Sequence, residues 1–146
     1  MPDQLDFSAT ENCVCFNLRL VTRVVTQFFD AEVRPHGIRS TQGSILVALT
    51  TKDRCSMAEL SEGLGLERTT LLRNLRPLQR EGFVRADGGG RGGRVELAIT
   101  AKGRKQIEKL MPTWRAAQNA AVKTLGEQRW SAILADLQTV AAALKK

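Results

Sequence analysis

The chain has 146 residues, of which 42% are hydrophobic, and a formal net charge of +7. A length and composition of this kind are expected to form one compact protomer with material for a core. Three cysteines and no recognisable signal segment point to a reducing cytoplasm and exclude a disulfide scaffold, and apolar runs such as Ile45 to Leu49 are far too short to cross a membrane.

Six helices and one hairpin are predicted. Ser8-x-x-Glu11 has the spacing of a capping box and is expected to open a long helix to about Glu32. Phe16, Leu20, Val24 and Phe28 line one of its faces, with Val14, Leu18, Val21 and Val25 beside them. That stripe is wider than one partner helix needs. Pro35-His36-Gly37 breaks the chain, and Ser40 is expected to cap a helix from Thr41 to about Thr51.

Ser56-Met57-Ala58-Glu59 is a second capping box, followed by an apolar stripe of Met57, Leu60 and Leu64. Gly65 stands where a turn needs positive φ. Glu67 puts a carboxylate at the start of the next helix. There Leu71, Leu75 and Leu78 face inward and leave Arg68, Arg73, Arg76 and Arg80 on other faces. Gly82 ends that helix. A hairpin follows, with strands Val84 to Ala86 and Val95 to Ile99 around a tip from Asp87 to Arg94. Val95, Leu97 and Ile99 alternate, which predicts one buried face. Thr100 caps a helix expected to bend near Pro112 and reach about Lys123. Gly126 separates it from a last helix, Glu127 to Leu144, where Trp130, Leu134, Leu137, Ala141 and Leu144 form a coiled-coil-like seam.

The order of parts from Cys55 to Thr100 reads as a winged helix-turn-helix. The fold class is therefore mainly α with a small β-hairpin wing and a helical dimerisation region. In such a unit one helix enters a DNA major groove, and the wing reaches for the backbone or minor groove. The charge agrees. From Arg68 to Lys105 there are ten basic and three acidic residues, an excess equal to that of the whole chain. Positive charge gathered on one unit is the footprint of phosphate neutralisation. Solvated helix faces also carry charge, but not in this company of parts. The expected layout is a single protomer, with residues 40–100 reading DNA and residues 8–34 and 101–146 forming the dimer.

Three rival functions are weaker. The chain has one histidine, no paired-carboxylate motif and no metal-ligand spacing, and Gly88-Gly89-Gly90 lacks the Lys-Ser/Thr of a phosphate loop. No enzyme, cofactor or metal is expected. A non-specific architectural DNA- or RNA-binding module would show salt-steep binding with little sequence preference. A pure protein-interaction module leaves the localised charge unexplained.

The order of elements resembles the MarR family of bacterial transcription regulators from about Glu11 to Leu144. The resemblance is carried by Arg34-Pro35-His36-Gly37-Ile38-Arg39-Ser40-Thr41-Gln42, Ala58-Glu59-Leu60-Ser61, Leu64-Gly65-Leu66, Arg68-Thr69-Thr70-Leu71, Leu78-Gln79-Arg80-Glu81-Gly82-Phe83-Val84 and Leu97-Ala98-Ile99-Thr100-Ala101-Lys102-Gly103-Arg104. It implies a homodimer on a pseudo-palindromic operator and repression relieved by a small-molecule effector or an oxidant. By position it implies base readout from Arg68, Thr69, Thr70 and Arg73 and a phosphate contact from Arg76. Ser56 is counted with the DNA-contacting residues. The chain departs from the family at the wing. Arg91-Gly92-Gly93 stands where the family has Asp-x-Arg, with Arg94 next, so either Arg91 or Arg94 could enter the groove.

Cys15-Phe16 also resembles the pair of the organic-hydroperoxide-sensing branch, and Arg19, one turn on, would favour a thiolate. Against that reading the chain has no tyrosine, and Cys13 and Cys15 are expected on different sides of the first helix. A plain core cysteine is the alternative. Family effectors are often aromatic acids, which Arg19, Arg23, Arg39 or His36 could hold if they are not simply surface ion-pair partners.

Overall fold

A computed structural model describes residues 8–145, with side chains from residue 10 onward. It contains six α-helices: α1 (Val14–Val33), α2 (Ser40–Thr51), α3 (Met57–Leu64), α4 (Arg68–Arg80), α5 (Ala101–Leu125) and α6 (Glu127–Leu144). Three short strands, β1 (Cys55–Ser56), β2 (Val84–Gly88) and β3 (Val95–Ile99), form an antiparallel sheet in the order β1-β3-β2.

Two starts differ from expectation. The long first helix begins at Val14, not Ser8. Residues Ser8–Asn12 form a 3-10 turn, and Cys13 is extended at φ −65°, ψ 118°. The Asn17 amide holds this entry by donating to the carbonyls of Glu11 at 2.8 Å and Cys13 at 2.9 Å. Ser8's side chain lies outside the described residues, so the expected capping box there has no structural account. Cys13 therefore stands before the helix, and the expected helical spacing between it and Cys15 does not apply.

The second helix begins at Ser40 itself. Its cap comes from Asp30 on α1, whose Oδ1 accepts from both the backbone N–H and the hydroxyl of Ser40, each at 2.7 Å. A carboxylate at a helix N-terminus suits the positive end of the dipole, and these are charge-assisted bonds. The joint ties the end of α1 to the start of α2. A second tie comes from the 3-10 turn Arg34–His36: His36 Nε2 lies 2.7 Å from Thr113 Oγ1, and Gln106 donates to the His36 carbonyl at 2.7 Å, both partners on α5.

The core sits where α2, α3 and α4 meet the sheet. Ile45, Leu46 and Leu49 from α2, Leu60 from α3, Leu71, Leu75 and Leu78 from α4, and Leu97 and Ile99 from β3 are buried together, closed by Ile107 and Leu110 of α5. Leu97, Ala98 and Ile99 are all buried, so the expected one-sided alternation fails at the base of the wing. Ala98, on the opposite face from Leu97 and Ile99, is paired with Arg85 on β2. Val95, near the tip, is 44% exposed. The fifth helix passes through Pro112 and runs to Leu125.

No residue of α6 is buried in the protomer, and α1 buries only Val33. Phe16 is 60% exposed, and Val14, Val21, Val24 and Val25 are exposed too, as are Leu134, Leu137 and Leu144 on α6. Among the described residues no helix is long and apolar enough to cross a membrane.

Candidate nucleic-acid interface

The helix-turn-helix is built from local chemistry. Ser56 Oγ accepts from the Glu59 N–H at 3.2 Å, and Glu59 Oε2 accepts from the Ser56 N–H at 2.7 Å and its hydroxyl at 2.9 Å. The expected capping box is formed. These two Ser56 bonds hold the Glu59 carboxyl below the usual carboxylate range, backbone bond first. The Ser56 hydroxyl is thereby engaged within the box. Gly65 ends α3 at φ 61°, ψ 30°, a conformation costly for residues with a Cβ. The Ser61 hydroxyl bonds the Leu66 carbonyl across the turn.

On α4, Leu71, Leu75 and Leu78 anchor the helix to the core. Arg68, Thr69, Arg73, Arg76 and Arg80 are exposed, and Thr70 is half-buried. At 3.6 residues per turn, Thr69, Arg73, Arg76 and Arg80 fall within about 60° of arc opposite the leucines, and Arg68 lies about 80° to one side of them, toward the leucine stripe. The fold thus brings Thr69, Arg73 and Arg76 onto one cationic face, with Arg68 at one edge and the half-buried Thr70 at the other. The Asn74 amide donates to the Thr70 carbonyl at 2.9 Å.

The wing is longer in strand and shorter in tip than expected. Pairing runs from Val84↔Ile99 to Gly88↔Val95, which puts Asp87 within β2 opposite Glu96. Asp87 accepts from Arg85 Nε at 2.9 Å and lies 3.7 Å from Arg54, which also lies 3.7 Å from Glu96. The wing's aspartate therefore braces Arg85 and Arg54, at the strand and not at the tip. Arg91 and Arg94 are exposed, and neither makes an ion pair among the described residues. Arg54 was not singled out by the sequence, because nothing local links it to residues more than thirty positions away.

Thr100 fixes the wing to α5. Its hydroxyl accepts from the Gly103 N–H at 3.0 Å and donates to the Gly82 carbonyl at 2.6 Å. Its N–H donates to the Phe83 carbonyl at 3.0 Å.

Between α1, α2 and α5 lies a cavity of about 570 Å³. Val25, Thr26, Phe29 and Val33 of α1, Ser40, Gly43, Ser44, Val47 and Ala48 of α2, Leu64, and Leu110, Met111 and Trp114 of α5 line it. Arg19, Arg23 and His36 are not among these residues. Arg19 and Arg23 lie along an outer groove of α1 with Cys13 and Cys15, and His36 is held by Thr113. Cys13 and Cys15 are exposed, whereas Cys55 is buried, and burial pushes its thiol up.

The family model described as winged helix-turn-helix DNA-binding matches residues 38–85. The transcriptional regulator MosR of M. tuberculosis is 36% identical, over 90% of this chain and 96% of that one, with a TM-score of 0.75. MosR in complex with DNA matches at 34% identity, over 92% and 99%, with a TM-score of 0.76. A MarR family transcriptional regulator from Silicibacter pomeroyi, 23% identical over 92% of each chain, shares the fold with a TM-score of 0.69. Comparison with curated protein sequences finds no match. The chain belongs to the MarR family of transcriptional regulators. It is a DNA-binding regulator of transcription and not an enzyme.

Proposed function

We propose that the protein is a homodimeric repressor that binds a pseudo-palindromic operator and releases it when a small molecule enters the cavity between α1, α2 and α5. The observation that carries this reading is the apolar face left open on α1 and α6. Exposed apolar stripes of this extent mark an interaction surface, and a second copy offers the same surface in return. Two α4 helices would then read half-sites one helical turn apart, ~34–36 Å. Arg68, Thr69, Thr70 and Arg73 would face base edges, Arg76 phosphate, and Arg91 or Arg94 the flanking minor groove. The cavity supports the effector role by its place. Its walls belong both to the dimerisation helices and to α2, the first helix of the reading head.

Light scattering and fluorescence anisotropy on a fragment upstream of the protein's own gene test the proposal. A dimer with specific binding against excess non-specific DNA is expected. Leu134→Glu with Leu137→Glu should yield monomers that bind that fragment weakly. A monomeric wild type, or a dimer unaffected by the double variant, rejects the seam.

A second reading rests on the exposure of Cys15. An organic hydroperoxide would transfer one oxygen to the Cys15 thiolate, giving a sulfenic acid, and leave as the alcohol. Specific binding lost on hydroperoxide, restored by thiol reductant and insensitive in Cys15→Ser is the expected result. Binding indifferent to hydroperoxide rejects it.

A further inference from the structure

We propose that Arg54 is a positioning residue for the wing: it docks the β2–β3 hairpin onto the helix-turn-helix through Asp87 and Glu96, and so sets how firmly Arg91 and Arg94 hold DNA. This deepens the groove contacts given to those two arginines above and rests on them.

From Arg68 to Lys105 the chain has three acidic residues, Glu81, Asp87 and Glu96. Asp87 and Glu96 are direct partners across the β2–β3 ladder. Residues directly opposite each other share a face, and like charges there repel. Two adjacent carboxylates also oppose phosphate binding unless a cation of the protein's own occupies them. Arg54 does so. Its Nη2 lies 3.7 Å from Asp87 Oδ2 and its Nη1 3.7 Å from Glu96 Oε2. One guanidinium thus spans both carboxylates, a bridge that its planar fork suits.

The bridge crosses the sheet where the backbone does not. The hairpin meets the helix-turn-helix along β1, which pairs only Cys55 with Leu97 and Ser56 with Glu96. Strand β2 lies on the far side of β3 and has no ladder to β1. Arg54, the residue before β1, reaches over β3 to Asp87 on β2. Arg85 also holds Asp87, at 2.9 Å, but from within β2, so it ties the hairpin to nothing else. The tip has little of its own to place it. Four of the six residues between the strands are glycine, with no side chain to pack and the widest backbone freedom. Its orientation is therefore set at its root, and Arg91 and Arg94 follow.

Anisotropy with the full chain on a mixed-sequence duplex, at one low salt concentration, tests this role. Arg54 is exposed, so the brace is modest. Without it fewer molecules hold the wing in place, and the apparent affinity falls with that fraction. Arg54→Ala is expected to bind about two- to fivefold more weakly, the scale of an exposed ion pair. That cost should vanish in a protein already carrying Asp87→Asn with Glu96→Gln, where Arg54 has no charge to hold. It should vanish again in Arg91→Ala with Arg94→Ala, where the wing has no arginine to place. In the DNA-free protein, Arg54→Ala should speed amide hydrogen exchange in β2 and β3 and leave α4 unchanged. If Arg54 contacts phosphate instead, its cost persists or grows once the carboxylates are neutral, because the guanidinium is then free for DNA. That result overturns the positioning role. So does an Arg54→Ala protein that binds as tightly as wild type, or one whose wing amides exchange no faster. If Arg91→Ala with Arg94→Ala leaves binding intact, the groove contacts themselves fail and this role with them. If that variant binds weakly while Arg54→Ala matches wild type, the groove contacts stand and Arg54 alone is excluded.

Discussion

Gly103→Ala is expected to destabilise the protein although it places a better helix former in a helix. A Cβ at Gly103 would stand 2.3 Å from the Phe83 carbonyl oxygen, 2.8 Å from Ile99 Cγ1 and 3.1 Å from the Phe83 carbonyl carbon. The first distance is about 1 Å inside a close C–H···O contact of ~3.3 Å. The Phe83 oxygen cannot move freely, because it accepts from the Thr100 N–H at 3.0 Å and shares at 3.2 Å the Thr100 hydroxyl proton that goes mainly to the Gly82 carbonyl. Overpacking of this kind costs ~1–3 kcal/mol, and weakening a bond to Phe83 adds ~0.5–1.5 kcal/mol. The helix gains about 1 kcal/mol from Gly→Ala. The balance is a loss of about 2 kcal/mol, or a Tm lower by roughly 4–8 °C at this chain length. Urea and thermal unfolding measure it. Gly63→Ala in α3 is the internal control, because a Cβ there meets nothing within 4 Å; it should stabilise by ~0.5–1 kcal/mol. If Gly103→Ala stabilises as Gly63→Ala does, the close approach of α5 to the foot of the wing is refuted.

Arg73→Ala should cost about 1–3 kcal/mol on operator DNA and relax base preference at one position, read by anisotropy on single-base operator variants. Arg91→Ala with Arg94→Ala should weaken binding to all duplexes and flatten the dependence of log K on log salt, by about one for each phosphate no longer neutralised. Ser56→Ala should lower stability by ~1 kcal/mol through loss of the α3 cap, seen in denaturant midpoints. The Glu59 carboxyl sits below its ordinary value because Ser56 donates to it twice. Its contribution is present above the unfolded-state pKa of ~4.3 and is lost as pH falls through the lower folded value. Stability of Glu59→Gln should therefore change less than that of wild type on acidification in that range.

The local features of this protein were legible in the order of its residues. The Ser56–Glu59 box, the Gly65 turn, the inward leucines of α4, the Thr100 cap and the hairpin all depend on partners a few residues apart or on one repeating period. Hydrogen bonds between i and i+3 and stripes at helical spacing are written where they act. The cationic face of α4 was legible for the same reason, since three buried leucines fix where its arginines point.

Packing between distant segments set the rest. Asp30 caps a helix ten residues away, and the local reading gave that role to Ser40 because a serine before an apolar run is the usual local signal. The two-residue strand β1 exists only because β3 lies beside it. The wing's aspartate meets Arg54 because the sheet brings the segment before β1 near β2, whereas Arg85 is two residues away on its own strand. The cavity is the extreme case. It is a space bounded mainly by three helices, and no residue's own neighbours in sequence specify a gap between elements. The cationic side chains that the sequence offered for an acid do not line it.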